Sequence, residues 1–361
     1  MNVTGLICEL NPLHSGHEYI ISRAKEDADV LVLIMSGNMT QRGTPAIYDK
    51  YARAEAAVLC GADIVVELPY PWSSAGVEGF ALGGVTVAAA LGVHRLVFGS
   101  ESGDQELIRR IAGIKSSEEY RNAAINEEKS GRNIGSAAVF DSVLASFGIT
   151  AQLGANDKLG AEYIRYGTDA GINDFTLVKR IVHKSASELR GTILNGFSAK
   201  DMAEIPEKAR NVFARSAHSR EDKYNEILFY NCRIYGEQSP NEIVRYASRA
   251  AHESADAAEF VRNLPTKKYT LSRIRREILS DMLGSSIKAT DKPEYTLILG
   301  ANETGREYLS SVRKTAPIEL ITKPADAKSS QFSVTLRADE LFCLSAGLRG
   351  GEMLRKKPYI I

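Results

Sequence analysis

The sequence predicts an α/β fold, in which a parallel sheet covered by helices on both faces is followed by a mainly helical second half. Three observations carry this. Short, continuous, β-branched runs alternate with helix-length stretches through the first half, as expected of strands buried on both sides. From about residue 199 those runs stop and helical spacing takes over. The 361 residues also exceed what one core usually holds, so the chain is expected to divide.

Taken in order, Val3 to Cys8, Val30 to Met35, Ile64 to Leu68 and Leu96 to Phe98 read as four parallel strands. Glu18 to Glu26, Asp49 to Leu59 and Gly79 to Leu91 are long enough to be the crossover helices between them, each crossover right-handed. Gln105 to Lys129 reads as one charged helix, Ala137 to Phe147 as a shorter amphipathic one, and Phe175 to Val178 as a fifth strand. The first domain is expected to span residues 1–198 and the second 199–361. In the second, Glu226 to Tyr230, Ile243 to Ala247 and Ser272 to Met282 have helical spacing. A small α/β module is expected around residues 295–324, from the run Tyr295 to Gly300, Glu303 to Val312 and Ile318 to Thr322.

Composition excludes several classes. With 44% hydrophobic and 25% charged residues the chain is neither disordered nor fibrous. Lys+Arg and Asp+Glu both number 45, so no global basic field draws it onto nucleic acid, although a local patch remains open. Cys8, Cys60, Cys232 and Cys343 lie far apart with no Cys-x-x-Cys pair, which suits reduced thiols. Met1 to Cys8 has no basic or long apolar region, and Val30 to Met35 is far shorter than the roughly 20 residues a bilayer requires. A cytoplasmic protein without a targeting segment is expected.

The strongest chemical signal is Asn11-Pro12-Leu13-His14-Ser15-Gly16-His17, placed between the first strand and the first helix. Ligands of open α/β sheets bind beyond the carboxyl ends of the strands, where a helix N-terminus offers free N–H groups and a positive dipole end to an anion. Gly16 lets phosphate oxygens approach the backbone. His14 and His17 can donate hydrogen bonds to charge building on a transferring phosphorus. A triphosphate suits such a site. The bland alternative makes one histidine a helix cap and the other a surface residue. A zinc reading would need Cys8 or Glu9 as a further ligand, yet Cys8 falls in a buried strand pattern, so no metal set is assigned.

Weaker signals cluster at the same sheet edge. Ser36, Gly37, Asn38 and Arg42 follow the second strand and suit phosphate or acetate contact. After the fifth strand come Lys179 and Arg180, then Ser185 and Glu188 at capping-box spacing, with Ser187 alongside and Arg190 about one turn further on. Gly99 and Asn156 sit at the fourth strand's end and in a nearby loop. For nucleic acid, Lys267, Lys268 and Tyr269 with Arg273, Arg275 and Arg276 form a basic strip with an aromatic inside it; the same residues also read as a solvated helix face.

Taken together, Glu9 to His17, Met35 to Asn38, Gln41-Arg42-Gly43, Val66 to Pro69, Phe98 to Glu101, the run Leu159 to Ile164 and Lys179-Arg180 resemble the bacterial tRNA(Met) cytidine acetate ligase family. The likeness extends through Gly300 to Glu307 and Ile321 to Pro324. The H-x-G-H element alone marks only the wider nucleotidyltransferase superfamily. The resemblance implies a Rossmann-like nucleotidyltransferase domain that makes acetyl-adenylate and pyrophosphate from ATP and acetate. The acetyl group then passes to the wobble cytidine of elongator tRNA(Met), giving N4-acetylcytidine. It places ATP on Ile7, Cys8, Glu9, Leu10, Asn11, Pro12, Leu13, His14, Ser15, Gly16, His17, Glu18, Tyr19 and Ile20, with Gly99, Asn156 and Arg180. Mg²⁺ is expected to accompany ATP.

Three places depart from the family pattern. Leu13 stands where an aromatic residue is usual, Ser74 to Glu78 is a variant segment, and the stretch from Arg180 to Ser185 is shorter than usual. Two other readings stay open on sequence: an adenylyltransferase or carboxylate–amine ligase with a small-molecule acceptor, and a non-catalytic RNA-binding protein on this scaffold.

Overall fold

The computed structural model describes residues 1–129, 135–181, 186–194 and 203–361. Strands β1 (Val3–Cys8), β2 (Val30–Ser36), β3 (Ile64–Leu68), β4 (Arg95–Ser100) and β5 (Asp174–Lys179) run parallel in the order β5-β4-β1-β2-β3. The chain builds outward from β1 to β3, then returns to lay β4 on the other side of β1. That reversal leaves a crevice between the carboxyl ends of β1 and β4, the usual ligand position in such sheets.

Burial on both faces explains the unbroken apolar strands. Leu31 and Leu33 of β2 pack under α1 (Ser15–Lys25) and α2 (Lys50–Leu59), while Val32 and Ile34 face the other way. That second face is covered by α3 (Val77–Ala90), α4 (Gln105–Ser116) and α7 (Ala155–Asp169). The stretch expected as one charged helix is two, α4 and α5 (Glu118–Lys129), because Ser117 turns extended and its hydroxyl accepts the Tyr120 N–H at 3.1 Å. α6 (Ser136–Ser146) packs against α5.

After α8 (Ala186–Leu194), α9 (Glu207–Arg215) lies on α2 with Phe213 stacked on Tyr48 at 4.5 Å. The division expected at residue 198 lies outside the described residues. Helices α10 (Glu221–Tyr235), α11 (Glu242–Glu253), α12 (Ala257–Asn263) and α13 (Leu271–Met282) form a bundle around Tyr224, Leu228, Phe260 and Ile278.

The strand–helix–strand run near 295–324 is not a separate module. β6 (Tyr295–Ala301) pairs antiparallel with β3; α14 (Glu303–Val312) follows, and β7 (Glu319–Ile321) and β8 (Tyr359–Ile360) pair parallel with β6, giving one eight-stranded sheet. The reason is edge chemistry: without β6, the outer N–H and C=O groups of β3 would lie unpaired. α15 (Phe332–Ala346) then wedges between the layers, with Phe342 in the sheet core and Ala338 in the bundle core. α16 (Glu352–Arg355) precedes β8. Among the described residues, no helix is long and apolar enough to cross a membrane.

Candidate active site

Beyond β1, Leu10 is fully buried at φ 49°, a left-handed conformation uncommon for a leucine, and it turns the chain sharply toward α1. The loop is tied down on both sides. The Asn11 Oδ1 accepts the Ile47 N–H at 2.7 Å, and the Asn11 carbonyl accepts from Arg190 Nη1 at 2.6 Å.

His14 is the N-cap of α1, extended at φ −140°, and its Nδ1 accepts the Gly16 N–H at 3.1 Å. His17 reciprocates three residues on, its Nδ1 accepting the His14 N–H at 3.3 Å, and the two ring centroids lie 3.9 Å apart. With Nδ1 accepting an N–H, the proton of a neutral imidazole resides on Nε2. Burial pushes the His17 pKa well below its ordinary 6.5, with His14 and Arg180 acting the same way and outweighing the raising pull of a hydrogen bond to the Pro12 backbone, so His17 is neutral at pH 7. The capping role and the donor role therefore coexist, each using a different ring nitrogen.

Both rings line a cavity of about 370 Å³. Of the residues expected at the nucleotide, Ile7, Cys8, Glu9, Leu10, His14, Gly16, His17, Tyr19, Ile20, Gly99, Asn156 and Arg180 line it. Asn11, Pro12, Leu13, Ser15 and Glu18 do not. Leu13 is buried in the core under the sheet, and Ser15 donates to Glu204 at 3.1 Å. Burial raises the Cys8 thiol pKa, so Cys8 stays protonated. Among the described residues, no three of His, Cys, Asp and Glu are gathered as a metal set.

Arg42 lines the cavity beside Gln41, and among the described residues neither Arg42 nor Arg180 is paired with a carboxylate. Ser36, Gly37 and Asn38 lie elsewhere. Asn38 is spent on Asp339 Oδ1 at 2.8 Å and on the Lys50 N–H at 2.7 Å, and Gly37 needs its missing Cβ because the Glu67 carboxylate occupies that space. Ser185 and the Ser187 side chain fall outside the described residues. Arg190 reaches the Asn11 carbonyl rather than open cavity.

Across the crevice two carboxylates lock the β4 loop to α7. Glu101 accepts the Asn156 side-chain amide at 2.8 Å and the Asn156 and Asp157 N–H groups at 3.0 and 3.2 Å. Asp157 in return accepts the Ser100 hydroxyl and the Glu101 N–H. This reciprocal cap fixes Asn156 at the cavity wall.

Sequence reasoning missed the scaffold beneath. Arg53, fully buried, donates to the carbonyls of Tyr48, Glu9 and Gly37 at 3.0, 2.6 and 2.6 Å, joining the ends of three loops with one rigid fork. Lys50 Nζ lies 2.9 Å from both Glu67 oxygens and 2.7 Å from Asp339, all three buried. Lys50 and Arg53, two cations at the start of the Ala-rich helix run Lys50 to Leu59, were the available signal.

The basic strip is also corrected. Arg275 is buried, paired with Glu221 at 2.8 Å and Asn225 at 3.0 Å, and Arg276 Nη1 donates to the Gln41 carbonyl at 2.8 Å. Arg275 lies on the packed side of α13 with Ile274 and Ile278, whereas Arg276, on another side of the helix, is held by its bond to the Gln41 carbonyl; both meet the loop that carries Arg42. Lys267 and Lys268 remain exposed, and the Lys268 ammonium and Arg273 guanidinium lie 5.1 and 5.0 Å from the Tyr269 ring centre.

A doubly wound sheet with paired histidines capping the first helix at its switch point defines a nucleotidyltransferase, and the family model described as HIGH Nucleotidyl Transferase matches residues 1–350. Proteins named tRNA(Met) cytidine acetate ligase are similar over nearly the whole chain. The one from Kosmotoga olearia is 30% identical, covering 91% of this chain and 87% of its own; the one from Lactobacillus helveticus is 31% identical, covering 95% and 96%. Crystal structures of Thermotoga maritima TmcAL superpose at TM-scores of 0.90, with bound alpha-thio ATP (27% identity, covering 100% of this chain and 99% of that one), and 0.88, without ligand (26% identity, 100% of both). The chain belongs to the tRNA(Met) cytidine acetate ligase family.

Proposed function

We propose that this protein activates acetate with ATP and passes the acetyl group to the N4 amine of the wobble cytidine of elongator tRNA(Met). An acetate oxygen attacks the α-phosphorus in line with departing pyrophosphate. His14 and His17 donate through Nε2 to charge on the transferring phosphoryl group, helped by the α1 N-terminus. Arg180 and Lys179, at the end of β5, receive the β- and γ-phosphates and then pyrophosphate. The Asn156 amide nitrogen is engaged by Glu101, which leaves its oxygen to accept from the exocyclic amine of adenine. Mg²⁺ enters with the nucleotide, as a companion of its phosphates.

One observation carries the reading: two histidines whose Nδ1 atoms both accept backbone N–H groups line a cavity together with Arg42 and Arg180, which among the described residues are paired with no carboxylate. Residues 1–198 would then hold ATP and acetate, while tRNA meets the helical half around Lys267, Lys268, Arg273 and Tyr269; the work is done in the cytoplasm. Exchange of labelled pyrophosphate into ATP tests the first step, and nucleoside analysis of the tRNA tests the second. Acetate-dependent exchange with N4-acetylcytidine appearing is expected. Exchange without modified tRNA would favour a small-molecule acceptor, and no exchange at all a binding protein.

A further inference from the structure

Acetyl transfer leaves a proton to be removed. When the cytidine amine bonds to the acetyl carbon, the carbon–oxygen bond to AMP breaks, AMP departs as an anion, and one N–H proton must leave the new amide nitrogen. The histidines are poorly placed to take it, because their Nδ1 atoms accept backbone N–H groups, an arrangement that puts the proton of a neutral imidazole on Nε2. The other titratable side chains in the cavity wall are Cys8, Tyr19, Arg42, Tyr163, Lys179 and Arg180: a thiol, two phenols and three cationic types, none of them a carboxylate. Among the described residues, Glu9 is the one carboxylate on that wall.

Its placement is built rather than incidental. Glu9 Oε1 accepts the Gln41 N–H at 2.8 Å, and the Glu9 carbonyl is held by Arg53 at 2.6 Å. Left-handed Leu10 turns the chain away immediately afterward. Among the described residues the second carboxylate oxygen has no hydrogen-bond partner, and it is not sealed from the cavity. A carboxylate fixed through one oxygen and open at the other has the geometry of a general base.

We infer that Glu9 is a further catalytic residue, the general base that accepts the proton from the cytidine N4 amine as it attacks acetyl-adenylate. This rests on the reading under Proposed function. The proton moves to Oε2 of Glu9 and from there to solvent once AMP and tRNA leave. Burial raises the Glu9 pKa above its ordinary 4.5, against the lowering pull of the Gln41 N–H, Arg190, Arg53 and Arg42; Cys8 and Tyr163 are its other titratable neighbours. A weakened acid is a stronger base, matched better to work near neutrality.

The test is Glu9→Gln, which keeps an oxygen for the Gln41 N–H and the side-chain volume. Acetyl transfer from preformed acetyl-adenylate to elongator tRNA(Met) is timed in single turnover, with acetate-dependent pyrophosphate exchange measured on the same preparation. Transfer should fall by about 10²–10⁴-fold, and at least tenfold more than exchange. In the wild type, transfer should decline as pH falls through the raised carboxylate pKa, and Glu9→Gln should lack that limb. Equal loss in the two assays, or transfer within threefold of wild type, overturns the base role. Failure of the wild type itself to transfer would instead refute the proposed function.

Discussion

The two nitrogens of His17 can be separated by substitution. Nδ1 accepts the His14 N–H at 3.3 Å, and Nε2 carries the proton offered to the cavity. Asparagine places an amide oxygen near the Nδ1 position with nothing at Nε2, whereas glutamine reaches the Nε2 position with an N–H and abandons the cap. His17→Asn should therefore lose one transition-state donor, a fall of about 10²–10³ in exchange rate, or about 2.7–4 kcal/mol, with little change in melting temperature. His17→Gln should keep at least about tenfold more exchange than His17→Asn, at a stability cost of about 1 kcal/mol for the lost cap. With unfolding entropy near 2.1 cal/mol/K per residue, that is only about 1–2 °C for this chain. The assay is pyrophosphate exchange at saturating ATP and acetate, paired with calorimetry. Equal losses of exchange in the two variants would refute a donor role for His17 Nε2. Because burial holds the His17 pKa well below 6.5, wild-type exchange should also show no titration of His17 as pH falls from 8 to 6.5.

Other outcomes follow from the buried charges and the exposed ones. Lys50→Met strands the Glu67 and Asp339 carboxylates and should cost about 3–5 kcal/mol, about 4–7 °C in melting temperature; adding Glu67→Gln and Asp339→Asn should restore most of it. Burial raises both carboxylate pKa values and Lys50 lowers them, so without Lys50 they rise further. Raised carboxylate pKa values favour the protonated fold, so the Lys50→Met deficit should grow as pH rises from 5 to 8 and shrink toward acid, as calorimetry at several pH values would show. Lys267→Glu with Lys268→Glu should weaken tRNA binding and flatten the slope of log affinity against log salt by about 2, with tRNA-free pyrophosphate exchange as the check on folding. An unchanged slope would place the tRNA elsewhere.

Much of this molecule was legible in sequence because its strands are buried on both faces. Runs such as Val30 to Met35 show no alternation, and four parallel strands were legible from them, with a fifth strand at Phe175 to Val178; their order in the sheet was not. The histidine motif was legible because it sits in a fixed position, between strand and helix. Four features were not. β6 joining β3 depends on pairing across more than 200 residues, which no local pattern encodes. Arg275 and Arg276 read as solvent-facing by charge, yet Arg275 shares the buried side of α13 with Ile274 and Ile278, and Arg276 is taken up by the Gln41 carbonyl, 235 residues away in sequence. Ser36 to Asn38 looked like a phosphate loop by composition, whereas Asn38 is consumed by Lys50 and Asp339, residues 12 and 301 positions away. The dual use of the histidine nitrogens also needed coordinates, since sequence offered capping and phosphate contact as alternatives.

The central claim is attack by an acetate oxygen on the α-phosphorus at the His14–His17 site. It is tested most directly by following acetate labelled with ¹⁸O in both oxygens through a full turnover with ATP and elongator tRNA(Met). One ¹⁸O is expected in AMP and the other in the acetyl group of N4-acetylcytidine, with none in pyrophosphate. Label in pyrophosphate, or ADP as the nucleotide product, would contradict it by moving the attack to another phosphorus.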